Sequence, residues 1–267
     1  MNSNDLDRKA RALIEPDSDL VRWHLDYLRK MVAVDSRSFG VGEFEGDRTT
    51  PVDMKEILAL AEEYLRRVGF GWVKINESRA GARWANPILM AEIVAGADKP
   101  TVLLYAHLDK QPYMDNEKFE KWGGVPPTQL RWSEDKTRAY GRGAADDLAG
   151  VTSIGLAVHA LLQSIGFDPE NPEPEKLKRL PCNLKIIYET EEESGSYSLI
   201  DQIKQNRDFF ASSDCVVITD VVNPAQGYPG LTTSLRGIAQ LEVEVTQQAG
   251  TRGMDAQTAL YKLLATL

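Results

Sequence analysis

The chain has 267 residues, with 31 Lys plus Arg against 40 Asp plus Glu, and a formal charge of −9. That charge excludes nucleic acid as the main partner, because neutralising phosphates requires a basic face. At 42% hydrophobic and 27% charged residues, the composition is that of a soluble globular protein with a sizeable core, in one large domain or two small ones.

No apolar run approaches the ~18 to 20 residues of a membrane span. The polar opening MNSNDLDRKARALIEPDSD has no apolar signal region, so a cytoplasmic protein without a membrane partner is expected. Cys182 and Cys215, each at the edge of an apolar stretch, read as two buried thiols in a reducing compartment rather than as a disulfide.

From the N-terminus, Leu20, Trp23, Tyr27, Met31 and Val34 recur at helical spacing behind the capping candidates Asp17 and Ser18, which predicts an amphipathic helix over 19–34. A loop over 36–48 without period follows. Thr50-Pro51 opens a second helix with Met54, Ile57, Leu58, Ala61, Leu65 and Val68 on one side and Gly69 ending it. Three short apolar runs, 71–75, 88–94 and 101–106, read as strands. Beyond them the order is loop, helix (148–163), a polar Pro/Glu insertion (168–178), strand (183–189), helix (near 197–206) and strand (215–219). This alternation predicts an α/β fold, a mostly parallel sheet with helices on both faces. Gln240 to Thr246 (QLEVEVT) alternates as a half-exposed strand does, and 255–267 reads as one amphipathic helix. The predicted division is a catalytic metal-binding domain over 1–235 and the start of a second α+β unit over 236–267.

Ligand sites in open parallel sheets lie beyond the carboxyl ends of the strands. The residues there are uniform in kind: His107-Leu108-Asp109 after TVLLYA, Thr190 to Ser196 (TEEESGS) after NLKIIYE, and Asp220 after CVVIT. The loop between the first two carries Gly141 to Asp147 (GRGAADD). Carboxylates crowded in a low-dielectric cleft repel one another unless a cation sits among them. One imidazole among several carboxylates suits zinc, manganese or cobalt better than calcium. Asp109, two residues from His107, can accept a hydrogen bond from the ring nitrogen that faces away from the metal, which fixes the tautomer. The bland readings are a chance H-x-D for His107 and Asp109, a solvated helix start for Glu191 to Glu193, and a turn cap for Asp220. Their coincidence at successive strand ends favours metal.

The segments YAHLDKQP (105–112), Trp122 with Pro127, YGRGAADDLAG (140–150), EESGS (192–196), VVITD (216–220) and PGLTTSLRG (229–237) together resemble the zinc aminopeptidase-like family of carnosinases and cytosolic dipeptidases, aminoacylases, carboxypeptidase G and succinyl-diaminopimelate desuccinylase. The similarity runs from about residue 20 to 245 and is strongest to the carnosinase-like branch. It implies two Zn2+ ions, with Mn2+ or Co2+ as alternatives. By it, His107 and Asp220 hold one metal, Asp146 bridges, Glu193 holds the second, Glu192 is the general base and Asp109 orients His107. A cis peptide at Asp146-Asp147, hydrolysis of dipeptide amide bonds and a homodimer for an intact member are implied as well. N-acyl amino acid deacylation and an inactive metal-binding module are the alternatives.

The sequence departs from that family in four ways. Members carry a late histidine on the second zinc and a lid of well over a hundred residues; this chain has three histidines and passes from QLEVEVT to one helix. It therefore reads as truncated or internally deleted, with one metal bound well, the second weakly, and little turnover expected. His24 and His159 read as packing or surface residues, not as the missing ligand. Ala106 and Leu148 stand where the family has glycine and lysine.

Overall fold

The structure, a computed structural model, describes residues 3–38, 52–76, 86–113, 124–225, 227–237, 243–246 and 255–265. Two units are present, Met1–Val221 and Val222–Leu267; the predicted boundary lay near residue 235. Among the described residues no helix is long and apolar enough to cross a membrane.

The first unit starts with α1 (Ser3–Leu13), which the sequence reading passed over, and α2 (Asp19–Ala33). Helix α1 buries little beyond Leu6 and Ala10, and its exposed face carries the Asp5–Arg8 and Asp7–Arg11 pairs. That polar face hid it from a hydrophobic-period search. Ser18 caps α2, its Oγ accepting from the Val21 amide at 3.2 Å. Helix α3 (Val52–Val68) ends at Gly69, whose φ of +127° is a conformation that glycine alone adopts freely. The predicted helix start at Thr50-Pro51 and most of the 36–48 loop lie outside the described residues.

Strands β1 (Trp72–Asn76), β2 (Ile88–Ile93) and β3 (Thr101–His107) follow, then a small hairpin of β4 (Arg131–Trp132) and β5 (Ala139–Tyr140). Next come α4 (Leu148–Ser164), the short α5 (Pro174–Leu177) inside the polar insertion, and β6 (Asn183–Glu189). A 3-10 turn over Glu192–Ser194, α6 (Leu199–Gln205), α7 (Arg207–Phe210) and β7 (Cys215–Ile218) complete the unit.

The main sheet has the order β1-β2-β6-β3-β7. It is mixed rather than mostly parallel: β6–β3 and β3–β7 are parallel, whereas β1–β2 and β2–β6 are antiparallel. No described helix intervenes from β1 to β2 or from β2 to β3, and parallel neighbours require a long crossover, usually a helix. Alternation along each strand serves two faces. Leu89, Ala91, Ala106, Leu184, Ile186 and Tyr188 pack with α1 to α4, while Ile88, Met90, Leu103 and Ile187 meet Leu199, Phe209 and Phe210 of α6 and α7.

Strand β7 is the exception to burial. It reads as a buried strand because CVVI is uniformly apolar, yet all four residues are exposed, and among the described residues it is the last strand on its side of the sheet. Cys215 is accordingly exposed and Cys182 half-buried; both are free thiols, which corrects the expectation of two buried ones.

In the second unit the described residues hold α8 (Ala256–Leu264), capped by Asp255, and an isolated bridge between Ala225 and Tyr228. Of the predicted strand over 240–246, Gln240 to Glu242 lie outside the described residues. Val243 to Thr246 belong to no helix or strand among the described residues.

Candidate metal centre

Parallel, in-register pairing sets the carboxyl ends of β3, β6 and β7 side by side, with His107 opposite Glu189 and Tyr105 opposite Ile218. His107 ends β3 with its side chain fully buried, and its Nε2 lies 3.0 Å from Asp146 Oδ1 and 3.7 Å from Asp220 Oδ2. On the other side of the ring Nδ1 lies 3.0 Å from the Asp109 carbonyl and 3.3 Å from Asp109 Oδ1. Both are acceptors, so Nδ1 carries a proton and Nε2 is the nitrogen turned toward the carboxylates. The sequence reading assigned this orienting task to the Asp109 carboxylate; its backbone carbonyl is the nearer acceptor.

The fully buried Asp109 side chain also organises the turn that follows β6. Its Oδ1 accepts from the Glu192 amide at 3.2 Å and its Oδ2 from the Glu193 amide at 3.0 Å. Gly195, at φ +104°, closes that turn in a left-handed conformation. Asp146 is brought in by the loop before α4, and the Asp146-Asp147 peptide is cis.

His107, Asp146 and Glu193 each offer a ligand atom within 4.8 Å of the others, and so do His107, Glu192 and Asp220. The structure thus gathers His107, Asp109, Asp146, Glu192, Glu193 and Asp220 on one rim. Burial raises the pKa values of Glu192, Glu193 and Asp220, and the Asp146 and Asp109 charges push each further up, against the pull of His107. Asp147 is raised to about 7, by burial first and by Asp220, while His107 opposes. Burial works against a charged His107, yet the hydrogen bond and charge of Asp109, with Asp147 and Asp220, hold it up at about 10. Burial is the first cause of the carboxylate shifts, and the mutual repulsion of the rim carboxylates adds to it. A divalent cation with nitrogen and oxygen ligands fits that donor set.

Further residues shape the rim beside the candidate ligands and base. Asp147 joins β3 to α4, its Oδ2 accepting from the His107 amide at 3.2 Å and its Oδ1 from the Gly150 amide at 3.2 Å. An Asp three residues before a helical glycine is a legible N-cap signal. Lys110 is fully buried, and its Nζ donates to the carbonyls of Met31 and Val32 at 3.0 Å each, and to that of Val34. It closes the C-terminal end of α2, which has no glycine to do so. Burial lowers its pKa to about 7, with Asp35 and Asp53 opposing. A Cβ on Gly143 (φ +75°) would lie 2.8 Å from the Lys110 stem, so glycine is required there on both counts.

Gln111 donates from Nε2 to Glu193 Oε2 at 2.6 Å. Glu191 is no solvated helix start: it is buried, and its Oε2 accepts from the Ser198 amide at 2.8 Å and from the Ser198 hydroxyl.

The two other histidines are engaged elsewhere. His24 Nδ1 lies 2.6 Å from the Tyr64 hydroxyl, and its Nε2 lies 3.2 Å from His159 Nδ1. Trp23 stands edge-on to both rings. His24 is a buried packing residue of α2, and neither ring belongs to the donor groups on the rim.

Comparison with other proteins places these observations. The model of Peptidase family M20/M25/M40 matches residues 103–266. Beta-Ala-His dipeptidase of Mus musculus is 33% identical over 212 residues, covering 75% of this chain and 39% of the mouse protein. The Cys-Gly metallodipeptidase dug1 of Schizosaccharomyces pombe is 32% identical over 160 residues, covering 60% of this chain and 30% of the yeast protein. The crystal structure of human carnosine dipeptidase 1 aligns with a TM-score of 0.58 at 26% identity, over 81% of this chain and 41% of that one. The chain thus spans well under half the length of the relatives it matches.

Proposed function

This chain belongs to peptidase family M20/M25/M40, and from that premise we propose that it works as a metal-dependent hydrolase of dipeptide amide bonds. The observation that carries the reading is the pair of donor triads sharing His107 on one rim of a parallel strand array. Zinc is the metal of this reading, two ions in an intact site, of which this chain binds one well and the second weakly, with manganese or cobalt able to substitute. His107 and Asp220 would hold one ion and Glu193 the other, with Asp146 able to serve both. A cytoplasmic location, the chemistry in residues 1–235, only the start of a lid unit in 236–267, and a homodimer for an intact member belong to the same reading.

When bound, such ions supply Lewis acidity to the scissile carbonyl and acidify water. The protein's own groups do the rest. Glu192, beside His107 and Asp220, takes a proton from the attacking water and delivers it to the leaving amine. Its raised pKa brings it nearer to the operating pH, where a general base that must also act as an acid is most effective. Asp109 keeps the His107 ring turned so that Nε2 faces the Asp146 and Asp220 carboxylates, and its grip on two amides of the 192–194 turn holds the backbone of Glu192 and Glu193 at fixed positions.

The test separates base from ligand. In a full-length relative, Glu192→Gln at the matching position is expected to lower turnover on a dipeptide panel by roughly 100-fold or more with metal content unchanged, whereas Glu193→Ala loses metal. Equal metal loss in both variants reverses the assignment, and no effect from either removes it.

A further inference from the structure

The His107-to-Gln111 segment grips the 192–194 turn by its main chain and also by a side chain. Asp109 holds the amides of Glu192 and Glu193, which fixes the backbone of the turn but not where the Glu193 carboxylate points. A glutamate side chain has three rotatable bonds, and holding it in one geometry costs rotamer entropy. The Gln111 Nε2 donates to Glu193 Oε2 at 2.6 Å, and Ser38 Oγ donates to Ser194 Oγ at 2.9 Å on the next residue of the turn.

The geometry points to Gln111 as the positioning residue of Glu193: its amide occupies Oε2, leaves Oε1 for the ion, and so prepays the ordering of one metal ligand. This inference rests on the metal reading above. An uncharged donor is the appropriate chemistry for the task. Lysine or arginine in the same place would neutralise Glu193 and compete with a cation for it, while an apolar residue would leave the carboxylate free to rotate. A donor behind a ligating carboxylate orients the ligand, and loss of such a donor typically costs about 10- to 100-fold in metal affinity.

Gln111→Met keeps the length and volume of the side chain and removes the donor; Gln111→Asn keeps the amide but shortens its reach by one methylene. Both are compared with wild type and with Glu193→Ala by competition titration with zinc against a chromophoric chelator. The visible spectrum of the cobalt form and the unfolding temperature of the metal-free proteins are recorded alongside. The expected result is a 10- to 100-fold weaker affinity for the same equivalent that Glu193→Ala abolishes, with an altered cobalt spectrum for that equivalent and an unchanged metal-free unfolding temperature. A metal-free protein destabilised in step with the affinity loss overturns the inference in favour of a packing role. Wild-type zinc affinity in both variants overturns it too, and leaves the metal reading intact. Wild-type protein that binds no zinc removes both.

Discussion

Two buried imidazoles in the same unit are driven in opposite directions. His107, at the end of β3, is held up at about 10, because burial is outweighed by Asp109, Asp147 and Asp220. His24, on α2, is pushed down to about 3 by burial, and the neighbouring His159 adds to that shift. Both rings are almost wholly inaccessible, so burial alone predicts neither. The company each ring keeps decides: carboxylates around one, a tyrosine, a tryptophan and a second histidine around the other. The first arrangement invites a cation; the second stores a neutral hydrogen-bonded chain from the Thr152 carbonyl through Tyr64 and His24 to His159.

Removing the charge beside His107 breaks the comparison most severely. Asp109→Ala leaves two amides of the 192–194 turn without an acceptor and His107 without its counter-charge, and is expected to cost about 3–5 kcal/mol. Urea unfolding of the metal-free protein measures this. Nuclear magnetic resonance titration should show the His107 pKa falling well below that of wild type. A loss under about 1 kcal/mol with an unmoved titration would show that Asp109 is not what holds the ring.

The other side of the comparison appears in the pH dependence. Because folding depresses the His24 pKa from 6.5 to about 3, the unfolded chain binds a proton that the folded one refuses between those values. Stability therefore rises with pH across that window, by roughly 1.4 kcal/mol per pH unit, and is lost as pH falls. His107 has the reverse sign in the metal-free protein: its contribution is whole below pH 6.5 and fades as pH rises through about 10. His24→Leu should flatten the acid side of the stability profile by one proton and leave the alkaline side untouched. An unchanged acid slope would mean that His24 titrates normally.

A smaller effect is expected from the hollow that admits Tyr64. A Cβ on Gly155 of α4 would lie 1.9 Å from the Tyr64 hydroxyl, which is itself tied to His24. Gly155→Ala therefore forces the tyrosine aside, at about 1–3 kcal/mol, read as a lowered midpoint in urea. Full stability would contradict the close approach of α3 and α4 there.

What the sequence disclosed, and what it hid, follows from the same physics. Strand ends are legible because a run such as TVLLYA stops where polarity begins, so His107, Asp109, Glu192, Glu193 and Asp220 stood out by position. Parallel neighbours then brought them together with no further information needed. Lys110 and Gln111 were unreadable in role, since their partners, the end of α2 and the Glu193 carboxylate, lie 76 to 82 positions away. Helix α1 escaped because its stripe is only Leu6 and Ala10 wide. CVVI misled in the other direction: an apolar run reports the tendency to be covered, and only the sheet order reveals that β7 stands at an edge.

That edge position makes the two thiols chemically unequal. Cys215 opens β7 in the exposed row, while burial lifts the Cys182 thiol above its usual value, against the pull of Lys99. A maleimide dye will therefore label Cys215 first. From there the chain runs extended to Asp220, on the order of 15 Å, a span over which a paramagnetic ion such as cobalt quenches a fluorophore. The protein thus carries a native attachment point for an optical reporter of cation arrival, set away from every residue whose role the reporter would be used to judge.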